Sequence, residues 1–242
     1  MGVSINDAYK AATLYYQQGL EANEVSEISA QTLKMASIAG LSAADATDKM
    51  TAALRGFNME LNETSAQRVA DVYSELAAIT ASDVNEISSA MTKTASIASS
   101  AGMDFETTSA FLAQIIETTR ESAETAGTAM KTIVARFQEL KKAPSEIGEI
   151  DGEIVDANKI EGALRTVGVS LRDASGQFRE LDDVFLELSS KWDSLDKNTQ
   201  RYIATIAAGS RQQSRFIAMM SDYGRTTELV SAANNSAGAS AA

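Results

Sequence analysis

The side chains that could do chemistry in this chain are carboxylates, hydroxyls and lysines, because the sequence contains no histidine and no cysteine. The commonest general base, the commonest metal ligand and the thiol nucleophile are therefore all missing. A serine needs a base beside it to act as a nucleophile. Ser190 and Lys191 are adjacent in a predicted helix, so their side chains point to different sides. We predict no nucleophilic catalytic site.

Carboxylates are the remaining candidates for catalysis or metal binding. Glu117, Glu121 and Glu124 lie three or four residues apart, as two carboxylates that cleave a glycan could. The same spacing is typical of a charged, solvated helix face. The acidic stretch 151–156 resembles half of a calcium loop, but the downstream glycine and glutamate are absent. We predict no catalytic, cofactor or metal site and expect that the chain is not an enzyme.

The charge balance argues against nucleic acid as a partner. There are 21 Lys and Arg residues against 33 Asp and Glu, a net charge of −12. A protein that binds the phosphate backbone needs a basic surface, so we predict no direct nucleic-acid binding. Arg211 and Arg215, four residues apart on one helix face, could pair with acidic neighbours or contact an acidic partner. No apolar run reaches the roughly 18 residues of a membrane span, and we predict none in this segment.

The stretch 122–140 is one of the predicted helices that would position the polar side chains named above. Its apolar residues recur at steps of three and four, which predicts one face of an α-helix; they are Ala123, Ala126, Met130, Ile133, Phe137 and Leu140. Gly127 flanks this face, although glycine costs roughly 1 kcal/mol against alanine inside a helix. Either a neighbouring helix approaches closely at Gly127, or the glycine is merely tolerated.

The same periodicity recurs along the chain and predicts an all-α bundle of about ten helices. One proline, Pro144, interrupts it, and strand formers are scarce. Gly40 and Gly102 are predicted to end helices, and each is followed two residues later by a capping residue. Trp192 lies on the apolar face of a later helix. Alternation of apolar and polar residues on both sides of a turn at 173–176 predicts one short β-hairpin near 169–180.

The changes in composition predict four parts. Residues 1–143 form a helical core domain, and 144–157 form a linker or small excursion with acidic, glycine-containing turns. Residues 158–230 form a second helical part that contains the hairpin. The last stretch, 231–242, has no large apolar side chain to bury, so it is expected to be a frayed end or the point where a longer chain was cut.

Three helix starts occur in a specific order, at 39–42 (AGLS), 101–104 (AGMD) and 126–129 (AGTA), and they carry a family likeness. The segment 36–140 resembles the shared domain of tail tape measure proteins from long-tailed phages and prophages. Three downstream runs resemble the continuation found in members from Gram-positive hosts: GVSLRDASGQFRELDDVFLEL, KWDSLDKNTQRYIATIAAGSRQQSRFIAMM and SAANNSAGAS. The likeness covers roughly residues 10–238.

The resemblance implies a structural protein that sets tail length, occupies the lumen of the tail tube and leaves ahead of the genome. The implied partners are other copies of the chain, tail tube and tail-tip proteins, and tail assembly chaperones. The implied locations are the virion tail and, during assembly, the host cytoplasm. We expect packing roles for Gly40, Gly102, Ala126, Gly127, Thr128, Phe137 and Trp192, and a possible partner contact at Arg211 and Arg215.

The chain is short for a protein that sets the length of a tail. As one continuous helix, 242 residues would span about 360 Å, and a chain with many caps and turns spans far less. We therefore expect a folded segment of a larger protein. Two alternatives stay open: a helical protein-interaction module of a bacterial secretion or surface system, and an enzyme that degrades cell wall. Neighbouring genes would separate the first from a tail protein, and an assay on purified cell wall would test the second.

Overall fold

The computed structural model describes residues 5–139, 148–150, 153–155 and 157–241. Within these ranges it has eleven α-helices, two short strands and a final 3-10 helix. The helices are α1 Ile5–Gln17, α2 Ala22–Ala39, α3 Ala43–Gly56, α4 Glu63–Ile79, α5 Val84–Ser100, α6 Phe105–Thr119, α7 Ala123–Glu139, α8 Ala157–Thr166, α9 Leu181–Trp192, α10 Lys197–Met220 and α11 Tyr223–Asn234. The prediction of an all-α protein is confirmed.

Helix α6 is the centre of the fold. Every residue from Phe105 to Ile116 is buried, so this helix contacts protein on all sides. It packs against α4, α5, α7, α10 and α11. Its buried Glu106 carboxylate accepts hydrogen bonds from Nε and Nη2 of Arg68 on α4, at 2.5 and 2.6 Å. A buried charge needs such a partner, because leaving it unpaired is costly.

The two predicted glycine turns have the same backbone geometry. Gly40 after α2 and Gly102 after α5 both adopt positive φ, 64° and 79°. In each turn the next amide bonds back to the helix: Leu41 N–H to the Ala36 carbonyl at 2.9 Å, and Met103 N–H to the Ala98 carbonyl at 3.0 Å. This is the Schellman arrangement that a left-handed residue permits. The Ser42 and Asp104 side chains then cap α3 and α6.

The predicted β-hairpin near 169–180 is wrong. The segment is a loop that turns back on itself with one isolated bridge, between Arg172 and Phe178, and no strand forms. Val169 and Leu171 are buried in the helical core, so their alternation reflects burial of a loop edge. The two strands of the described chain, β1 Gly148–Ile150 and β2 Glu153–Val155, pair antiparallel inside the stretch assigned to a linker. Pro144 and the rest of 140–147 lie outside the described residues.

The predicted second part packs directly onto the first. Helix α10 contacts α6 and α7, and α11 contacts α4 and α6, so buried side chains from both parts form one continuous core. Helix α10 breaks at Gly209, whose φ of 79° and ψ of 167° are not helical. The expectation of a frayed end is wrong for 235–241, because backbone amides of this stretch bond to a buried carboxylate on α4.

Candidate functional site

Helices α5 and α7 approach closely at Gly127, the position that the sequence singled out. A Cβ built on Gly127 would lie 2.5 Å from the carbonyl oxygen of Ala90 and 2.9 Å from its Cα. The Thr94 hydroxyl, on α5, donates to the Gly127 carbonyl at 3.1 Å. Ala126 beside it is fully buried. A side chain at 127 has no room, since the obstacle is backbone and cannot rotate away.

Thr128 lies on the other side of α7 and is exposed. It borders an open surface depression together with Ser122, Arg211 and Arg215. Arg215 makes a two-pronged ion pair with Glu121, at 2.6 and 2.7 Å. Arg215 could pair with an acidic neighbour or contact an acidic partner, and the structure shows the ion pair with an acidic residue of the same chain.

Phe137 and Trp192 belong to one aromatic cluster that the sequence did not reveal. Phe185 on α9 contacts Phe111, Phe137 and Phe216 edge-to-face, with centroid distances of 6.0, 5.0 and 6.4 Å. Trp192 contacts Phe216 at 5.8 Å. These rings join α6, α7, α9 and α10, so the cluster holds the two predicted parts together. Edge-to-face pairs add roughly 0.5–1.5 kcal/mol each beyond burial.

The three carboxylates considered for catalysis are ion-pair partners. Glu117 binds Arg225 on α11, Glu121 binds Arg215 on α10, and Glu124 lies 3.3 Å from Lys93 on the surface. The Arg225 guanidinium lowers the pKa of Glu117, and Arg215 lowers the pKa of Glu121. A general acid needs the opposite shift. These ion pairs join α6 to α11 through Glu117 and the loop after α6 to α10 through Glu121, and they do not resemble an acid–base pair.

Among the carboxyls that the structure describes, Asp182 alone has a strongly raised pKa. Burial raises its pKa to about 8, and the nearby Asp104 carboxylate adds to the effect, while hydrogen bonding from the Asp104 amide opposes it. The Asp104 N–H donates to Asp182 Oδ2 at 2.6 Å. Asp182 lies in the first turn of α9 and binds the start of α6 through this hydrogen bond. Such a pKa is typical of functional acids, yet this carboxyl joins two helix starts and borders none of the described cavities.

The first helix carries an apolar face that no other part of the described chain covers. Ile5, Tyr9 and Tyr16 are 91%, 73% and 52% exposed. They lie four and seven residues apart, so they share one side of α1. Ala11 and Tyr15 on the opposite side are buried. The helical spacing of these residues is visible in the sequence, which does not by itself distinguish an exposed face from a buried one. Large apolar side chains grouped on a surface are typical of protein contacts.

The parts of the chain that the structure describes contain neither a candidate metal site nor a candidate membrane-spanning helix. Searching them finds no group of three or more acidic side chains placed to hold a metal ion. The same residues include no helix with the length and apolar character needed to cross a bilayer.

A family model for the phage-related minor tail protein matches residues 1–209. The chain belongs to this family. A curated tape measure protein from Pneumococcus phage Dp-1 is 25% identical over 224 residues, which cover 91% of this chain and 18% of that protein. The chain thus spans less than a fifth of the length of this relative. No solved structure matches the chain significantly.

Membership of this family confirms the predicted relation to phage tail tape measure proteins. It assigns the chain to the structural proteins of phage tails and to the virion tail. The ion pairs, glycine contact and aromatic cluster described above are then the means by which a tail segment of small side chains keeps a defined fold.

Proposed function

We propose that this chain is a folded segment of a tape measure protein, which sets tail length and lies in the lumen of the tail tube until genome delivery. The observation that carries the proposal is the similarity to a named tape measure protein along 91% of the chain. The 18% coverage of that relative fits a segment within a much longer protein.

In this proposal the folded segment contributes only a small part of the measured length. Its longest helix, α10, has 24 residues and would span about 36 Å if it were straight. Because the helices fold back around α6, the segment is far shorter than the roughly 360 Å of a continuous helix. In this proposal the segment is a compact body on the protein, and extended regions elsewhere supply most of the measured length.

The proposed partners are other copies of the chain, tail tube and tail-tip proteins, and tail assembly chaperones, with assembly in the host cytoplasm. The exposed face of Ile5, Tyr9 and Tyr16 supports a role in protein contacts, because its area is apolar and uncovered. The net charge of −12 favours protein over nucleic acid as the partner.

The test is to change the gene and measure tails by electron microscopy. Deleting the codons for 5–241 and, separately, duplicating them in tandem should shorten and lengthen tails by the same small amount. A segment that is extended in the tube would change the length by about 360 Å, and a compact one by much less. Tails of unchanged length in both variants would refute a role in length determination, while a change near 360 Å would refute the compact form.

A further inference from the structure

The stretch 235–241 docks on α4 although it has no large side chain. Its sequence is NSAGASA, and it ends in the 3-10 helix Ala239–Ala241, which contacts α2 and α4. Ser236 and Ser240 are buried. Since burial of such small side chains removes little apolar surface from water, polar contacts must hold this stretch in place.

Asp71 on α4 supplies those contacts. Its side chain is buried, with 3% of the residue exposed. Oδ2 accepts the Gly238 N–H at 2.8 Å, and Oδ1 accepts the Ser240 N–H at 2.9 Å. Gln67, one turn earlier, donates to Asp71 Oδ1 at 2.7 Å and to the Ser240 hydroxyl at 2.8 Å. Both carboxylate oxygens are thus engaged by the backbone of a segment about 170 residues away in sequence.

The backbone conformation of Gly238 allows both amides to bind Asp71. Its φ of 89° lies in the left-handed region that side chains disfavour, and it turns its own amide and that of Ser240 towards one carboxylate. Burial alone would raise the pKa of Asp71, but the hydrogen bonds from Ser240, Gly238 and Gln67 outweigh it and hold the pKa below its usual value. The carboxylate and the segment therefore depend on each other: the ionised side chain is satisfied in its buried place because the segment is docked.

We propose that Asp71 and residues 235–241 form a clasp, a conformational device that opens locally and releases residues 235–241 from α4 while the helical core stays folded. Three hydrogen bonds join the segment to α4, from the Gly238 amide, the Ser240 amide and the Gln67 side chain, and the segment has no large apolar side chain to add to them. The core beneath it rests on a continuous set of buried apolar side chains. Regions with few buried apolar contacts open at lower free energy than the core. This inference is independent of the proposed role in tail length.

Hydrogen exchange of the full chain, followed by mass spectrometry, tests the clasp. In the wild type, the amides of Gly238 and Ser240 should exchange slowly compared with an unstructured peptide, and their exchange should not change at low denaturant concentration. In Asp71→Ala and Asp71→Asn, exchange at 235–241 should rise at least tenfold, while α6 and α11 stay protected as in the wild type.

Two further variants separate the clasp from general damage to α4. Ser240→Pro removes the amide that donates to Asp71 and the hydroxyl that accepts from Gln67, and it changes no residue of the apolar core. It should therefore raise exchange at 235–241 even if the Asp71 variants fold poorly. Glu75→Gln is the matched control: it removes a carboxylate one turn further along α4, and no described contact joins it to 235–241. It should exchange as the wild type does.

Unchanged protection of 235–241 in the Asp71 and Ser240 variants would overturn the proposal. So would a loss of protection in Ser240→Pro that spreads to α6 and α11, because the segment would then be part of the core.

Discussion

Replacing Gly127 tests the close contact between α5 and α7. A methyl group at 127 would meet the backbone of Ala90 at 2.5–3.1 Å, which is shorter than any normal carbon contact. Because the obstacle is backbone, the two helices must move apart. Such overpacking typically costs about 1–3 kcal/mol, whereas alanine gains up to about 1 kcal/mol over glycine in helix propensity. We expect Gly127→Ala to lower the free energy of unfolding by about 1 kcal/mol.

A leucine at the same position should be worse, because three further heavy atoms enter the contact. We expect Gly127→Leu to cost about 3 kcal/mol or to prevent folding. The control is Gly162→Ala in α8, where a Cβ would meet nothing within 4 Å. That substitution should stabilise by roughly 0.5–1 kcal/mol through helix propensity.

Thermal and urea unfolding followed by circular dichroism measures both effects. In a protein of this size, 1 kcal/mol moves the melting temperature by about 2–4 °C. Gly127→Ala should melt below the wild type and Gly162→Ala above it. If both variants melt above the wild type by the same amount, then α7 does not approach α5 closely at Gly127.

Three other predictions concern charges. Asp182→Asn should raise the free energy of unfolding more at about pH 8.5 than at about pH 5. The pKa of Asp182 is raised to about 8 in the folded chain, so the wild type loses stability as the pH rises from the pKa of the unfolded chain towards about 8. An equal gain in urea unfolding at both pH values would contradict this. Arg225→Gln should cost about 2 kcal/mol, since it removes the bonds to Glu117 and to the Ile79 carbonyl. Its deficit should shrink in acid as Glu117 is protonated, and exposed Arg201→Gln, the control, should change stability little. The folded chain should not shift duplex DNA in a gel at low salt, given its net charge of −12; a salt-sensitive shift would show that the fold gathers a basic surface.

The predictions of a β-hairpin near 169–180 and of a frayed end failed for the same physical reason: both segments depend on contacts with distant parts of the chain. Alternation of Val169 and Leu171 reports that one side of the segment is buried, but it does not report whether a strand or a helix face covers it. The structure buries both against helices. Likewise, the stretch 235–241 has nothing apolar to bury, and its docking depends on a carboxylate whose importance no local pattern marks.

The sequence by itself determined the helical class, the glycine turns and the family. Helix periodicity and the turns at Gly40 and Gly102 are local properties, set by residues within a few positions of each other, and ordered helix starts identify relatives without knowledge of contacts. Only the tertiary structure decided which helix is central, that Phe185 joins the two parts, and that Asp71 meets Gly238. Those contacts join residues far apart in the chain, and their formation depends on how all the helices pack around α6, which no single stretch of sequence specifies.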